Sequence, residues 1–350
     1  MAPTATPAWT GPDKIARGPF FEPALVVDYA GAVHLAVTRT GDKNQGIWYL
    51  TNASGSWSRR QLTTPPTFPD ENAPGYDGQP AIAIDPADGS IWIAFTRWEC
   101  SGCLPDATAG IFYVTNAGGT WSEPVQLSGS LTLSPSLVVR NGHIHLAYAT
   151  MGFPGEARPV MYGTNASGEW VARRVSRLGW LPHLILDGDG LAHILFSASD
   201  LRFAEQTADG RFVAERLPGT GQPDGFASAG DETGSHYWAA WGTERDDSHI
   251  NVVVATRVGS AWSDPITAIS HAWVTDLGVY DGVVHLIGIA LGADGLLYAN
   301  NASGTFEIQT LFAPGSQSSV LAFGPAGQPF VVFTGDGSGW TGIWFAEGPG

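Results

Sequence analysis

Two hydrophobic phrases recur along the chain. In the first, a Pro or small residue opens an apolar run, a Gly turn follows, and an apolar–His–apolar run comes next. The first copy is Pro23-Ala24-Leu25-Val26-Val27, a turn to Gly31, then Val33-His34-Leu35-Ala36-Val37. Its second half returns as Ile91-Trp92-Ile93, Ile144-His145-Leu146, Ala192-His193-Ile194, Tyr237-Trp238-Ala239, Val284-His285-Leu286 and Pro329-Phe330-Val331. In the second phrase an apolar-aromatic run leads into Thr-Asn-Ala-Ser-Gly, one further residue and an aromatic. It runs from Ile47 through Thr51-Asn52-Ala53-Ser54-Gly55 to Trp57, from Ile111 through Thr115-Asn116 to Trp121, and from Val160 through Thr164-Asn165 to Trp170. Weaker copies end at Phe212, Trp262 and Phe306.

Each unit therefore holds four short β-type runs, A to D. Runs A and B join at tight turns such as Asn141-Gly142 and Asp281-Gly282, which are hairpin signals. Runs C and D join at the Asn-Ala-Ser-Gly turn. Successive D aromatics, from Trp9 onward, lie 48, 64, 49, 42, 50 and 44 residues apart. Four strands in every ~40–50 residues make the blade of a β-propeller. The expected fold is all-β: one domain over residues 1–350, a seven-bladed β-propeller of four-stranded antiparallel blades. The blades fall near 22–63, 79–128, 134–176, 181–217, 225–267, 272–312 and 318–347. The seventh unit has no D run after Ala346, while Ala8-Trp9-Thr10-Gly11-Pro12-Asp13-Lys14-Ile15 matches the D run Ala261-Trp262-Ser263-Asp264-Pro265-Ile266. The N-terminal strand, 8–16, is expected to complete the last blade and remove the exposed edges.

These repeats resemble those of sialidase-like, BNR-type β-propeller proteins over nearly the whole chain. The Asp-box of such repeats has Ser or Thr, an Asp two residues on, a Gly, and Trp three after the Gly. Here Ala53 stands in the Asp place and Trp57 follows Gly55 by two residues. The resemblance implies the fold; sialidase chemistry does not come with it.

Residues that recur from blade to blade are first structural devices. His34, His145, His193 and His285 share one repeat position with Trp92, Trp238 and Phe330. Equivalent positions lie far apart around a ring, so these histidines read as packing rather than as ligands of one metal. The D aromatics read as wedges between blades. Asn52, Asn165 and Asn301 fit the glycosylation acceptor pattern, but they recur because the turn recurs, and Asn suits a tight turn.

Composition bounds the rest. Hydrophobic residues make up 43% of 350, enough for a large core, and Gly and Pro together supply about a fifth, in keeping with frequent turns. The net charge of −16 argues against nucleic acid and anionic membranes as partners, and no apolar run is long enough to span a bilayer. Cys100 and Cys103, the two cysteines, sit in one long B–C loop, where a local disulfide, free thiols or a metal site are the readings, in that order. A disulfide fits a secreted or extracytoplasmic protein. A monomer is expected.

Function is sought where the repeat breaks. In a propeller the D–A and B–C connections open on one face and the A–B and C–D turns on the other. The long connections, 64–78, 97–109, 151–159, 218–225 and 243–249, all belong to the first set. That face carries polar residues where run A begins (Glu22, Asp77, Gln79, His183, Trp273, Asp276) and where run B ends (Arg39, Arg97, Glu99, Glu244, Arg245). Phe21, Tyr76, Trp98, Phe153, Trp180 and Trp340 are interleaved. Carboxylates, arginines and aromatic platforms around a funnel suit a sugar. The leading expectation is a hydrolase or lyase acting on a carbohydrate or similar polar substrate. Glu22, Asp77, Glu99, His183 and Asp276 would be its acid/base groups, and Arg39, Arg97, Phe21, Tyr76, Trp98, Trp180 and Trp273 would bind substrate. One variant places Ca2+ on the axis, held by Glu22, Asp77 and Asp276, for ester or phosphotriester hydrolysis. The competing class is a non-catalytic glycan- or protein-binding propeller.

Overall fold

The computed structural model describes residues 9–41, 44–66, 75–98, 109–129, 131–151, 158–221, 223, 225–231, 234–244, 250–291, 295–312, 316–335 and 341–349. They form seven antiparallel sheets and no helix. Six of the sheets follow chain order, run A to run D. In the seventh, Thr10–Ala16 pairs with Gly342–Glu347, which pairs with Pro329–Gly335 and then Ser316–Phe323. The register Asp13↔Phe345, Lys14↔Trp344 and Ala16↔Ile343 closes the ring as the sequence leads one to expect. Blade 5 differs from a plain four-strand pattern. Its outer run is split into Ala261–Trp262 and Ile266–Ser270, both on Ile250–Val258. Pro265, which has no N–H to give to a ladder, lies in the gap.

The core is divided among seven buried clusters, one at each junction between neighbouring blades. This explains the continuous apolar B runs: Val33–Arg39 is packed on both faces, and Val33, Leu35, Ala36 and Val37 are wholly buried. The outer runs meet solvent: Ser58–Gln61 is polar throughout, and Val171–Ser176 is mostly exposed and carries Arg173 and Arg174. Five of the seven D aromatics are seen to stack back on run C of the preceding blade. Trp57 meets Phe345 at 5.3 Å, Trp121 meets Tyr49 at 4.9 Å, Phe212 meets Tyr162 at 5.5 Å, Trp262 meets Phe203 at 5.4 Å and Trp9 meets Tyr298 at 5.0 Å.

The recurring Asn is a clasp. The side-chain oxygens of Asn52, Asn116 and Asn165 accept the N–H of Val33, Ile91 and Ile144 at 2.7 Å, and that of Asn301 accepts from Val284 at 2.8 Å. Each bond pins the start of run B to the C–D turn, worth about 1 kcal/mol. The recurring histidines do more than pack. His34, His145 and His285 hydrogen-bond Tyr49, Tyr162 and Tyr298 at 2.5, 2.6 and 2.5 Å. Burial pushes His145 and His285 down to about 4, so both stay neutral. These pairs lie at the A–B/C–D end of their blades, away from the funnel.

Candidate functional site at the propeller axis

The inner strands are bulged where they reach the axis. The ladder slips between Phe21 and Ala24, Gly78 and Ala81, Leu133 and Ser136, and Trp180 and His183. At each slip a residue with positive φ precedes a proline: Glu22 (50°), Gln79 (51°), Ser134 (54°) and Leu181 (48°). A bulge re-aims side chains and frees backbone groups from the ladder. At Gln79 and Ser134 the freed N–H is satisfied by the preceding blade. One oxygen of Glu22 accepts from the Gln79 N–H at 2.8 Å, from Thr38 at 2.9 Å and from the Tyr76 hydroxyl at 3.1 Å. The Gln79 side-chain oxygen repeats the device one blade on, accepting from the Ser134 N–H at 3.0 Å and from Thr96 at 3.1 Å. The repeated residue-plus-proline at 22–23, 79–80, 134–135 and 181–182 is the sequence signal for these bulges, two of which, at Glu22 and Gln79, carry clasps to the next blade.

Inside the ring is an axial cavity of about 490 Å3 whose wall includes Glu22, Gln79, Ser134, His183, Thr275 and Asp276. Three sequence-predicted groups thus share one cavity: Glu22 from blade 1, His183 from blade 4 and Asp276 from blade 6. The second oxygen of Glu22 has no hydrogen bond among the described residues. His183 packs on Phe226 at 5.0 Å, and burial pushes its imidazole down to about 4, leaving it neutral. Burial pushes the Asp276 carboxyl up to about 6, against the pull of two backbone donors, the N–H groups of Leu277 and Leu321, each at 2.8 Å. Asp276 therefore changes charge near pH 6 inside the cavity.

Asp77 and Arg97 do not line this cavity. They face each other across the ladder and form a two-bonded ion pair at 2.7 and 2.8 Å, with Asp77 wholly buried and the Arg97 side chain 13% exposed. The guanidinium also lies over Phe112 at 4.7 Å. Arg39 holds the equivalent place in blade 1, but its ladder partner is Phe20, not a carboxylate. It lies over Trp48 and Phe20 at 5.3 and 5.6 Å, and its buried Nε has no hydrogen-bond partner among the described residues.

The aromatic platforms divide similarly. Trp180 and Trp273, at the start of the inner strands of blades 4 and 6, are 38% and 44% exposed. The Arg158 guanidinium lies over Trp180 at 5.8 Å. Tyr76 is committed to Glu22, and burial together with that charge raises its hydroxyl. Phe21 and Trp98 are half-buried, opposite Thr38 and Tyr76. Glu99, Cys100, Cys103, Phe153, Arg245 and Trp340, and with them the expected disulfide, lie outside the described residues, as do large parts of the long connections; the Glu244 side chain does too. Among the described residues no three His, Cys, Asp or Glu side chains are placed to hold a metal ion. Glu22, Asp77 and Asp276 are accordingly not gathered into a Ca2+ site there.

An ulvan lyase, described as a polysaccharide lyase bound to -[GlcA(1-4)Rha3S]-, superimposes with a TM-score of 0.62 at 10% identity, over 96% of this chain and 95% of its own. In fold the chain resembles the sialidase-like β-propellers. Polysaccharide lyase Uly1 gives a TM-score of 0.56 at 13% identity, over 99% and 92% of the two chains. A Hadza microbial sialidase, Hz136, gives 0.53 at 13% identity; 94% of this chain is covered and it spans 65% of the sialidase's length. At such identities the likeness is one of architecture. No protein-family profile matches the chain, and no curated protein sequence matches it.

Proposed function

We propose that the protein is a carbohydrate-active enzyme, a hydrolase or lyase, whose chemistry takes place in the axial cavity. The observation that carries the reading is the convergence of Glu22, His183 and Asp276 on one wall-lined space of about 490 Å3. Glu22 supplies a carboxylate whose free oxygen takes a proton from substrate or water. Asp276, with its carboxyl raised to about 6, supplies the proton for the departing sugar oxygen. Neutral His183 relays or accepts a proton. Trp180 and Trp273 present flat faces for sugar rings at the rim. Arg39, without a carboxylate among the described residues, receives an acidic substituent of the glycan, whereas the charge of Arg97 is already paired with Asp77. The structural neighbours described as sialidases and polysaccharide lyases support a glycan substrate at the level of the fold.

The test is incubation with a panel of neutral, uronate-bearing and sulfated polysaccharides. New reducing ends report either reaction, and ultraviolet absorbance from a new carbon–carbon double bond reports elimination alone. Glu22→Gln, His183→Ala and Asp276→Asn should each lower turnover by about 100-fold or more if they carry proton transfer. Folded variants that keep full turnover would sink the assignment. A non-catalytic glycan-binding propeller is the second reading. It is favoured by the clasps themselves, since Glu22 and Asp276 both bind backbone N–H groups of the neighbouring blade. It predicts binding to a polysaccharide of the panel with no new reducing ends.

A further inference from the structure

The face opposite the funnel holds a second cleft, of about 400 Å3, at the A–B turns of blades 1, 6 and 7. Its walls include Asp28 and Tyr29 from blade 1, Val279 and Tyr280 from blade 6, and Phe323 and Pro325 from blade 7. Tyr29 is 77% exposed. The corresponding turn positions in blades 2, 4 and 7 are Pro86, Gly188 and Pro325, so the turn does not need an aromatic there. The turn that carries Tyr29 is held firmly. One oxygen of Asp28 accepts the N–H groups of Ala30 and Ala32 at 2.9 and 2.8 Å, and the other binds His34 at 3.2 Å. Tyr280 is fixed as well. Its hydroxyl donates to the Pro325 carbonyl at 3.2 Å, its ring packs on Phe323 at 5.8 Å, and Gly327 at φ 83° leaves room where any side chain would strike that ring.

We propose that this cleft is a second, non-catalytic site that holds one neutral pyranose unit of a glycan on Tyr29 and Tyr280. The ring type fits: a tyrosine offers an apolar face and a polar tip, matching a sugar's apolar face and hydroxyl rim. Charge sets the class. Among the described cleft residues there is no Lys or Arg, their one carboxylate, Asp28, already has both oxygens hydrogen-bonded, and the chain carries −16, so an anionic unit is repelled and a neutral one is not. The face is the one turned away from the funnel. The site therefore anchors a chain without competing for the axial cavity, and it stands whether or not the cavity is catalytic.

Affinity electrophoresis in native gels containing galactomannan, xyloglucan or laminarin tests it, with alginate as the polyanionic control. The wild-type protein should be retarded by at least one neutral polymer and not by alginate. Tyr29→Ala, at a position too exposed to matter for folding, should weaken that retardation by about three- to tenfold, the loss expected for one stacked ring. Tyr29→Trp should keep or strengthen it. Glu22→Gln should leave retardation unchanged even where it abolishes turnover, which separates this site from the axial one. Absence of retardation by all three neutral polymers, retardation that Tyr29→Ala leaves intact, or retardation lost in Glu22→Gln would each overturn the proposal.

Discussion

Asp77 offers the sharpest test of which polar residues near the funnel belong to the fold. As a free acid at the mouth it would be catalytic; as the partner of Arg97 it is structural. The pair is nearly dry, with the Asp77 side chain 0% and the Arg97 side chain 13% exposed, and both bonds are short. Asp77→Ala leaves a guanidinium buried over Phe112 and Phe95 with no anion. Breaking one side of such a pair costs about 3–5 kcal/mol. At ~2.1 cal/mol/K per residue, 350 residues give an unfolding entropy of roughly 0.7 kcal/mol/K, so the melting temperature should fall by about 4–7 °C.

Removing both partners is different. Asp77→Ala with Arg97→Met deletes the uncompensated charge as well, and the double variant should regain most of the lost stability, because an apolar replacement of a buried pair is often near neutral. Differential scanning calorimetry of the wild type, both single variants and the double variant closes the cycle. Arg39→Met is the built-in contrast. It removes a guanidinium with no ion-pair partner among the described residues, so its melting temperature should stay near that of the wild type while binding of an acidic glycan weakens. An Asp77→Ala protein that melts with the wild type yet loses turnover would refute this reasoning and restore Asp77 as a catalytic acid.

Two further outcomes follow from buried groups. The Asp276 carboxyl is raised to about 6 in the folded protein, above the ordinary value of 3.8, so the native state holds its proton more tightly than the unfolded chain. Stability from this group is therefore fully present below about pH 4 and lost as the pH rises to about 6; Asp276→Asn should flatten that slope in melting temperature against pH, and a slope unchanged in the variant would contradict the assignment. In blade 4, Phe203 replaces the tyrosine that partners the repeat histidine elsewhere, and the buried Nδ1 of His193 has no hydrogen bond among the described residues. Phe203→Tyr should supply it and add about 1 kcal/mol, or roughly 1–2 °C, in a thermal melt; a lower melting temperature would show that the hydroxyl does not fit beside Glu205.

The architecture was legible because each blade must solve the same packing problem. A B run buried on both faces has to be apolar, a wedge between blades has to be large and flat, and the Asn of the C–D turn has to accept an N–H from run B. Seven repetitions turn weak preferences into a readable period. The site was only half legible, for the same reason inverted. The premise that non-recurring polar residues are free for function fails where recurrence lies in the role rather than in the residue. Glu22 and Gln79 look unrelated in the sequence, yet each precedes a proline at positive φ and each clasps the next blade. Asp77 looks like a lone acid until the ladder sets it opposite Arg97.

That comparison also isolates what remains for function at Glu22. Gln79 performs its clasp with an amide oxygen, accepting one backbone N–H and one threonine hydroxyl, and Glu22 accepts the same two kinds of donor with one oxygen. The clasp therefore needs an acceptor and not a charge. Holding a carboxylate where an amide would serve costs desolvation on the wall of a cavity, and the Tyr76 hydroxyl, which donates to the same oxygen, offsets only part of it. The charge and the second oxygen are surplus to the fold, and Glu22 lines the cavity that His183 and Asp276 share. Glu22→Gln should consequently preserve the clasp and the melting temperature, which makes it the cleanest variant for separating catalysis from stability at this axis.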